Sequence, residues 1–476
     1  MHQKKNLGPL LGLALAVCIA SGTASAASAI TEMGGDVAVA PASPGSTGQA
    51  SFAGPENSLL KSGSEFTVTF APPSEEQKQA PAPDKSKSGG SALAGIGLKS
   101  DSPDIDLQNL KWIHISDGRQ AARIRIHSQD AESVRAALVF STDSGELPDA
   151  FTLHFKGADA DIFEVTGKEL KNNELYWSPI VIGDAVTVEV VLPEGLSPES
   201  LHLAVPQLSW FGKPYKTTKA GGYREDFGTS QSCERDAVCS VQKGNPAYDN
   251  AINAVAKTFH TESDGYTYYC TGTLLNNSNS PKRQLFWSAA HCAHNQTEAN
   301  NYQTVWFYAT TQCGGNASTL DPRVAVLTGG ATILHRDGLR DTLLLELKRT
   351  PPAGVFYQGW NAQQIASGVD IHDLHHPNGD ALKYSQGNVT GLDFTLTDRD
   401  GKVSNTNMIR VQWPAAVVEQ GSSGSGLLTL ASDGNYQLRG GLTGGPSTCS
   451  ADTNSRRDYF SDFSGVFQQI SGYFTR

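Results

Sequence analysis

The chain has 476 residues and a formal net charge of −11, with 48 acidic side chains against 37 lysines and arginines. This length is sufficient for two folded domains and additional unfolded sequence. The acidic balance and the absence of dense runs of lysine and arginine argue against nucleic acid as a partner.

Residues 1–26 have the pattern of a secretory signal peptide. Two lysines precede an apolar stretch over residues 10–20, and small residues lead to a cleavage point after Ala26. A lipoprotein anchor at Cys18 is the weaker alternative, because Val17 is bulky for the preceding position. No later apolar stretch is long enough to span a membrane. We therefore expect a secreted protein, either extracellular or periplasmic.

The next three segments differ in composition. Residues 27–94 are rich in Ala, Pro, Ser and Gly, which indicates a flexible linker with at most one isolated strand at 66–70. Over residues 95–210, apolar and polar residues alternate with period two between turn residues. This pattern predicts a small β-sandwich without cysteines. Residues 211–227 carry several basic residues among Gly and Thr, and we expect an exposed processing linker there.

Residues 228–476 again show short strands separated by turns, which favours a β-barrel or a sandwich. Seven cysteines less Cys18 leave six, all in this half, and an even number in an exported chain predicts disulfides. Six cysteines allow 15 pairings, and the sequence alone does not choose among them. No Cys-x-x-Cys pair occurs, which argues against a zinc site built from cysteines.

Two short segments indicate nucleophilic catalysis. Residues 289–292 contain His291, and residues 421–426 form a Gly- and Ser-rich turn around Ser423, between two strand-like segments. A serine hydroxyl needs a base to take its proton and a third group to fix the base's tautomer. Glycines let backbone N–H groups converge on a developing oxyanion, and the N–H groups of Gly421 and Ser423 are the predicted donors.

The third group should be an acid between these segments. Asp341 opens an apolar strand-like run over residues 341–347, where it could orient His291 from a partly buried position. Asp337 is the rival, but it lies in an Arg-Asp-Gly sequence typical of an exposed turn. We therefore predict His291 as the base, Asp341 as its orienting acid and Ser423 as the nucleophile.

Residues 228–476 resemble the trypsin-like serine peptidases and, within them, the bacterial lysyl endopeptidases, secreted enzymes that cut after lysine. The resemblance rests on the six cysteine positions and on residues 270–274, 289–292, 341–344, 375–377, 421–425, 444–447 and 449–450. The preceding β-rich region resembles the propeptide of the same family at residues 176–179. The resemblance implies an all-β, chymotrypsin-like fold of two six-stranded antiparallel β-barrels, preceded by a small β-sandwich pro-domain. It also implies the same three catalytic residues and synthesis as a proenzyme.

The resemblance further implies a disulfide pairing and a substrate pocket. The implied bridges are Cys233–Cys449, Cys239–Cys313 and Cys270–Cys292. Asp458 matches the family's lysine-binding acid, and a buried carboxylate facing an ammonium group is a strong charge-assisted contact. Asp462 is a second candidate, and Thr443, Gly444 and Gly445 are the other residues implied at the pocket. The implied partners are proteins or peptides with basic residues and the protein's own propeptide.

Two positions depart from the family pattern. Lysine-specific members carry a histidine, stacked on a tryptophan, where this chain has Thr443. This leaves cleavage after arginine open beside the preferred cleavage after lysine. Ser422 stands where many trypsin-like enzymes have an aspartate that receives the new N-terminal amine on activation. We hypothesise that activation does not use that ion pair, and that the β-sandwich shields the cleft or assists folding until the linker is cut.

Three rival functions are weighed against this one. A glutamate-specific peptidase of the same fold has a similar Gly-x-Ser-Gly-Ser turn, but Asp458 would repel an acidic side chain. A non-catalytic binding or adhesion protein on a peptidase scaffold has no need of a complete His–Asp–Ser set. A metalloprotein using His372, Asp373, His375 and His376 is disfavoured, because their spacing fits no standard ligand pattern. We expect no metal and no cofactor.

Overall fold

The computed structural model describes residues 30–37, 65–79, 91–115, 118–159, 161–216, 230–398 and 400–475. The predicted signal peptide and residues 217–227 of the processing linker lie outside this set. Within the described residues, no helix is both long and apolar enough to cross a membrane.

The described residues are mainly β-strands. In the N-terminal part these are β1 Glu32–Met33, β2 Asp36–Val37, β3 Phe66–Phe70, β4 Ala92–Lys99, β5 Asp104–Ile105, β6 Ile113–His114, β7 Gln120–Ser128, β8 Ser133–Thr142, β9 Thr152–Lys156, β10 Ile162–Thr166, β11 Leu175–Trp177, β12 Val181–Ile182, β13 Ala185–Leu192 and β14 Leu201–Phe211.

The C-terminal part continues in the same way. Its strands are β15 Arg235–Asp236, β16 Val255–Thr261, β17 Thr267–Leu274, β18 Leu285–Ser288, β19 Gln303–Trp306, β20 Ala325–Leu327, β21 Ala331–Asp337, β22 Thr342–Leu347, β23 Phe356–Tyr357, β24 Gly359–Asn361, β25 Asp370–His375, β26 Lys383–Thr397, β27 Val403–Gln412, β28 Gly426–Leu430, β29 Tyr436–Gly444 and β30 Arg457–Phe460. Four short α-helices accompany the strands: α1 Glu75–Gln79, α2 Pro246–Ile252, α3 Gln296–Asn300 and α4 Ser464–Ile470.

The N-terminal part is a β-sandwich. One sheet has the order β10-β9-β13-β7-β3, and the other runs β11-β8-β14-β4. Alternate residues of both sheets point inwards, so that Ile124 and Val188 from the first sheet are buried in one core with Leu138 and Leu208 from the second. Strand β3, expected to be isolated in the linker, pairs in parallel with β7, and β1 and β2 pair with β24 and β23.

The start of the predicted processing linker is partly buried. Phe211 and Tyr215 are 1% and 3% exposed, and both belong to an apolar cluster that includes Phe259 of β16. Lys216 is also buried, and its ammonium group pairs with Asp159 and Asp161. The expectation of exposure is therefore wrong for Phe211, Tyr215 and Lys216, because aromatic burial and ion pairing fix them against the folded domains, whereas Gly212 and Lys213 are exposed as expected.

The last six strands form a closed barrel. Their order is β29-β28-β25-β26-β27-β30, and β30 pairs back onto β29 through Leu442 and Phe460. Val411, Leu427 and Trp413 are buried inside with these two residues. Closure leaves the barrel without free edges among these strands, which stabilises a β-structure of this size.

Strands β16–β22 form the first barrel, in the order β20-β19-β16-β17-β18-β22-β21. Phe286, Trp306, Leu343 and Leu345 fill its core. The predicted all-β, two-barrel class is confirmed, with the three-residue β20 as a short addition to the first barrel. Three strand ends meet between the barrels, namely the end of β18, the start of β22 and the start of β28.

Strand β4 joins the sandwich to the first barrel. On one side it pairs with β14, where Ile96 lies opposite Trp210, and on the other it pairs antiparallel with β17, where Ala92 lies opposite Tyr269. The second sheet of the sandwich and the first barrel therefore form one hydrogen-bonded sheet.

Candidate active site

His291 and Asp341 are in direct contact. His291 lies in the 3-10 turn Ala290–Cys292 after β18, and Asp341 immediately precedes β22. The ring Nδ1 is 2.9 Å from Oδ2 and 3.1 Å from Oδ1 of Asp341, and the His291 backbone N–H donates to Oδ1 at 3.1 Å. This geometry holds Nδ1 as the protonated nitrogen and leaves Nε2 to act as a base.

The Asp341 carboxylate is nearly inaccessible, at 3% exposure. Burial alone would raise its pKa, but the charge of His291 and the hydrogen bonds from it outweigh burial, so that the pKa is lowered from the ordinary aspartate value. Asp341 also has a φ of 52°, in the left-handed region that non-glycine residues rarely adopt. The rival Asp337 is instead the last residue of β21, and it pairs with Arg340 at 2.9 Å across the turn that follows.

The loop around Ser423 requires its glycines. Gly421 and Gly424 have φ values of 88° and 83°. A Cβ on Gly421 would lie 2.4 Å from Tyr269, and one on Gly424 would lie 2.1 Å from the Ser288 hydroxyl. Because these two glycines have no side chain, the loop can pack against the first barrel. There the Thr271 N–H donates to the Ser423 carbonyl at 2.8 Å.

The two nitrogens of the His291 ring differ in their contacts. Among the described residues, Nε2 of His291 is buried and has no hydrogen-bond partner. In free hydrolases the contact between nucleophile and base is often long and shortens when substrate binds. Ser423 itself is 1% exposed, at the start of the segment that leads into β28.

Ser422, the departure from the usual activation aspartate, is tied to a buried histidine. Its hydroxyl is 2.7 Å from Nδ1 of His375, whose Nε2 is 3.2 Å from the Ser385 hydroxyl. Burial lowers the pKa of His375 to about 3, so the ring is neutral at ordinary pH. A neutral hydrogen-bond network therefore holds the residue before Ser423, where other enzymes of this type use an ion pair.

Asp458 lies in β30, which pairs with β27 on one side and with β29 on the other. It is 1% exposed, and the Trp413 indole N–H donates to its Oδ2 at 2.6 Å. Ser447 donates to it through both the backbone N–H and the hydroxyl. Burial raises the pKa of Asp458 to about 6, although these hydrogen bonds oppose the rise. No lysine or arginine among the described residues pairs with it.

Two residues implied at the pocket lie beside Asp458, and one lies elsewhere. Gly445 is so close that a Cβ there would be 2.4 Å from Oδ1 of Asp458, and Gly444 precedes it at the end of β29. Thr443 is buried and faces Asp341 instead. Its hydroxyl makes no hydrogen bond of standard geometry to a described residue, yet it is close enough to help lower the Asp341 pKa.

Sequence reasoning missed Trp413 and Ser447 as partners of Asp458. Trp413 follows β27, whose Val411 lies opposite Asp458 in β30, so the contact depends on strand register. The only signal in the sequence is the short spacing between Ser447 and Cys449, within the stretch matched to the family. The rival acid Asp462 instead accepts hydrogen bonds from Ser464 at the start of α4.

The histidines of the metalloprotein alternative, His372, His375 and His376, make ordinary hydrogen bonds. Nδ1 of His372 is 3.0 Å from the Gln386 amide, and Nδ1 of His376 is 2.9 Å from the Asp380 carbonyl. His375 contacts Ser422, as described above. These side chains point to different partners and do not converge on one position.

Three disulfides fix the surroundings of the site. They are Cys233–Cys449, Cys239–Cys313 and Cys270–Cys292, the pairs that the resemblance implies. The last of these joins β17 to the turn that carries His291. Ser91, just before β4, lies on this bridge, with its hydroxyl 3.1 Å from the Cys270 sulfur and 3.2 Å from the His291 carbonyl.

Comparison with known proteins agrees with this geometry. The family described as lysyl endopeptidase, C-terminal domain, matches residues 227–461, and the lysyl endopeptidase N-terminal domain family matches residues 69–212. A lysyl endopeptidase of Pseudomonas aeruginosa is 57% identical over 476 residues, covering 100% of both chains. The chain belongs to the lysyl endopeptidase family. It is therefore a serine endopeptidase, and the resemblance seen in the sequence is confirmed.

Solved structures match this lysyl endopeptidase family member more distantly. The active form of the Rv3671c protease of M. tuberculosis is 19% identical with a TM-score of 0.33, over 48% of this chain and 84% of that chain. The HtrA-type protease AlgW with a tripeptide is 14% identical with a TM-score of 0.32, over 47% of this chain and 62% of that chain.

Proposed function

We propose that the protein is a secreted endopeptidase that cuts after lysine through an acyl-enzyme on Ser423. The observation that carries the specificity is the buried Asp458 carboxylate, which has hydrogen-bond donors but no basic partner among the described residues. A lysine ammonium group entering the pocket would supply the missing charge. The name of the Pseudomonas aeruginosa relative supports the same substrate class.

The proposed reaction uses each residue in one role. Oγ of Ser423 attacks the carbonyl carbon after the substrate lysine, and its proton passes to Nε2 of His291. Asp341 keeps Nδ1 protonated and stabilises the imidazolium that forms. The N–H groups of Gly421 and Ser423 stabilise the oxyanion. His291 then gives the proton to the leaving amine, and water hydrolyses the acyl-enzyme by the reverse proton path.

Asp458 also bears on whether the enzyme could cut after glutamate or arginine. A glutamate side chain would bring a second negative charge against Asp458 in a site shielded from water, where like charges repel strongly. Thr443, the residue that replaces the histidine of lysine-specific members, lies near Asp341 and has no imidazole ring to stack on a tryptophan. Lysine is therefore the preferred residue, and arginine stays open as a second one.

A fluorophosphonate reagent tests the nucleophile. We expect the processed enzyme to be labelled on Ser423 alone, as mapped by mass spectrometry. Prior addition of a peptide ending in lysine should slow the labelling, whereas a matched peptide ending in glutamate should not. A protein that is inert to the reagent would support the non-catalytic alternative and contradict the proposal.

We also propose that the sandwich is an inhibitory pro-domain. Strand β4 covers the edge of β17 next to the site, and Ser91 lies on the bridge beside His291. Arg135 of the sandwich is 2% exposed and reaches into the first barrel, where it donates to the Thr261 hydroxyl at 2.9 Å and to the Asn301 carbonyl at 2.8 Å. These contacts lie outside the linker, so cutting the linker alone would leave the two parts bound.

Limited proteolysis of the purified proenzyme within residues 217–227 tests this. We expect the two fragments to co-elute on gel filtration, with peptidase activity still suppressed. Arg135→Ala should speed fragment separation and the rise in activity. Arg125→Ala is the matched control, because Arg125 pairs with Asp184 inside the sandwich and should change neither. Immediate separation with full activity would contradict inhibition by the bound sandwich.

A further inference from the structure

Four side chains gather behind the segment that carries the catalytic histidine. They are His260 at the end of β16, Glu262 just after it, His294 beyond the 3-10 turn, and Glu298 in α3. One donor atom from each lies within 4.8 Å of all the others. The chain separates these residues by up to 38 positions, so the fold and not a local motif brings them together.

His260 distinguishes this cluster from an ordinary ion pair. The side chain is fully buried, at 0% exposure, and neither ring nitrogen has a hydrogen-bond partner among the described residues. Its ring stacks on Tyr268 with the centroids 5.7 Å apart, which fixes the plane of the imidazole. A buried polar group without a partner is unfavourable. A ligand at the centre of the cluster would satisfy one of these nitrogens.

The spacing of the other donors suits a small cation. Nδ1 of His294 is 3.1 Å from Oε2 of Glu298 and 3.7 Å from Oε1 of Glu262. In a tetrahedral zinc site with metal–ligand distances near 2.0–2.1 Å, neighbouring donors are about 3.4 Å apart. The His294 nitrogen is therefore already near the spacing that zinc requires from each carboxylate, and a nitrogen of His260 lies within 4.8 Å of these donors.

We propose that His260, Glu262, His294 and Glu298 form a zinc-binding site in this peptidase. Two imidazoles and two carboxylates favour zinc over calcium, which takes six to eight oxygen ligands. Four protein ligands leave no open position for water or substrate, which is the arrangement of structural zinc sites. The ion would therefore stabilise the fold and take no part in peptide hydrolysis.

The surroundings of Glu298 support this assignment. Its Oε2 accepts the His294 backbone N–H at 2.7 Å, and its Oε1 accepts the Asn295 amide at 2.8 Å. Such outer hydrogen bonds orient metal-binding carboxylates. His294 is three residues after His291, so the ion would cross-link β16 to the segment that holds the base. The two Glu charges would balance the charge of one divalent ion.

Metal titration of the intact chain tests the proposal without an activity assay. The full-length protein carrying Ser423→Ala, which keeps the chain uncut, is stripped with EDTA and titrated with Zn²⁺ by calorimetry. We expect one zinc per chain and a higher unfolding midpoint in its presence. Co²⁺ as a probe should give the intense visible absorption of a tetrahedral site, and Ca²⁺ should not displace it.

Ligand variants locate the ion. His294→Ala and Glu298→Gln should each lower zinc affinity by at least about 100-fold, more than the loss of an outer-shell partner causes. His294 is partly exposed, so its removal is compatible with folding even where His260→Ala is not. His202→Ala is the matched control, because His202 is an exposed histidine of the sandwich that lies outside the cluster. The His202→Ala protein should bind zinc with the same affinity as the parent. Failure to bind micromolar Zn²⁺, equal affinity in His294→Ala, or displacement by Ca²⁺ would overturn the proposal.

Discussion

Asp458→Asn separates the charge of the pocket carboxylate from its shape. The asparagine carbonyl can still accept from Trp413, and the Ser447 hydroxyl can rotate to accept from the new amide, so the pocket should keep its form. The substrate ammonium group, however, loses its partner. Removing one member of a desolvated charge pair costs about 2–5 kcal/mol. At about 1.4 kcal/mol per tenfold, kcat/KM for lysine substrates should fall by about 30- to 4,000-fold.

The same substitution should stabilise the free enzyme. The Asp458 pKa rises from 3.8 to about 6 on folding, a difference of about two units. At 1.36 kcal/mol per unit, the ionised carboxylate costs about 3 kcal/mol of folding free energy. Because the folded-state pKa is the higher one, this cost is absent below about pH 4, grows between about pH 4 and pH 6, and is fully present above pH 6.

Urea denaturation and steady-state kinetics at pH 4 and pH 8 measure both effects. We expect Asp458→Asn to be more stable than the parent at pH 8 and similar to it at pH 4, with lysine cleavage impaired at pH 8. Asp462→Asn is the matched control, since Asp462 binds Ser464 outside the pocket, and lysine cleavage should be retained. Full lysine activity in Asp458→Asn would refute the assigned pocket.

Three further changes test other parts of the site. Asp341→Asn should lower kcat by about 10⁴-fold, because asparagine favours the wrong tautomer of His291. Stopped-flow kinetics measure kcat, and a loss of less than tenfold would be inconsistent with the triad. Replacing Cys270 and Cys292 with serine removes a disulfide that spans 22 residues and should lower the free energy of unfolding by about 3 kcal/mol. An unchanged urea midpoint would contradict a stabilising role of this disulfide. Gly424→Ala places a Cβ 2.1 Å from the Ser288 hydroxyl at positive φ, so acylation of Ser423 should be lost; labelling at the parental rate would show that the loop tolerates a side chain.

The sequence was sufficient where chemistry depends on short motifs. His291 and Ser423 stand in local patterns, and Asp341 precedes an apolar strand, so each could be selected from its neighbours. The resemblance to a family then supplied the two-barrel class and the disulfide pairs. These features depend on residues within a few positions of one another or on a known precedent.

Contacts that depend on strand register could not be predicted. Trp413 reaches Asp458 because β27 lies beside β30, and Thr443 faces Asp341 because the two barrels meet there. Strand β4 pairs with β17 across a domain boundary, although its first residues, 92–94, were expected in the flexible linker. The proximity of His260 to Glu298 has the same origin, since neither residue lies in a recognisable ligand motif.

Digestion of a peptide library by the processed enzyme tests the central claim most directly. Sequencing the new termini should show cuts after lysine, with arginine the only other residue admitted. The Ser423→Ala protein, prepared in the same way, should make no cuts. Cleavage after acidic or apolar residues, or undiminished cleavage by Ser423→Ala, would contradict a lysine-directed peptidase that works through Ser423.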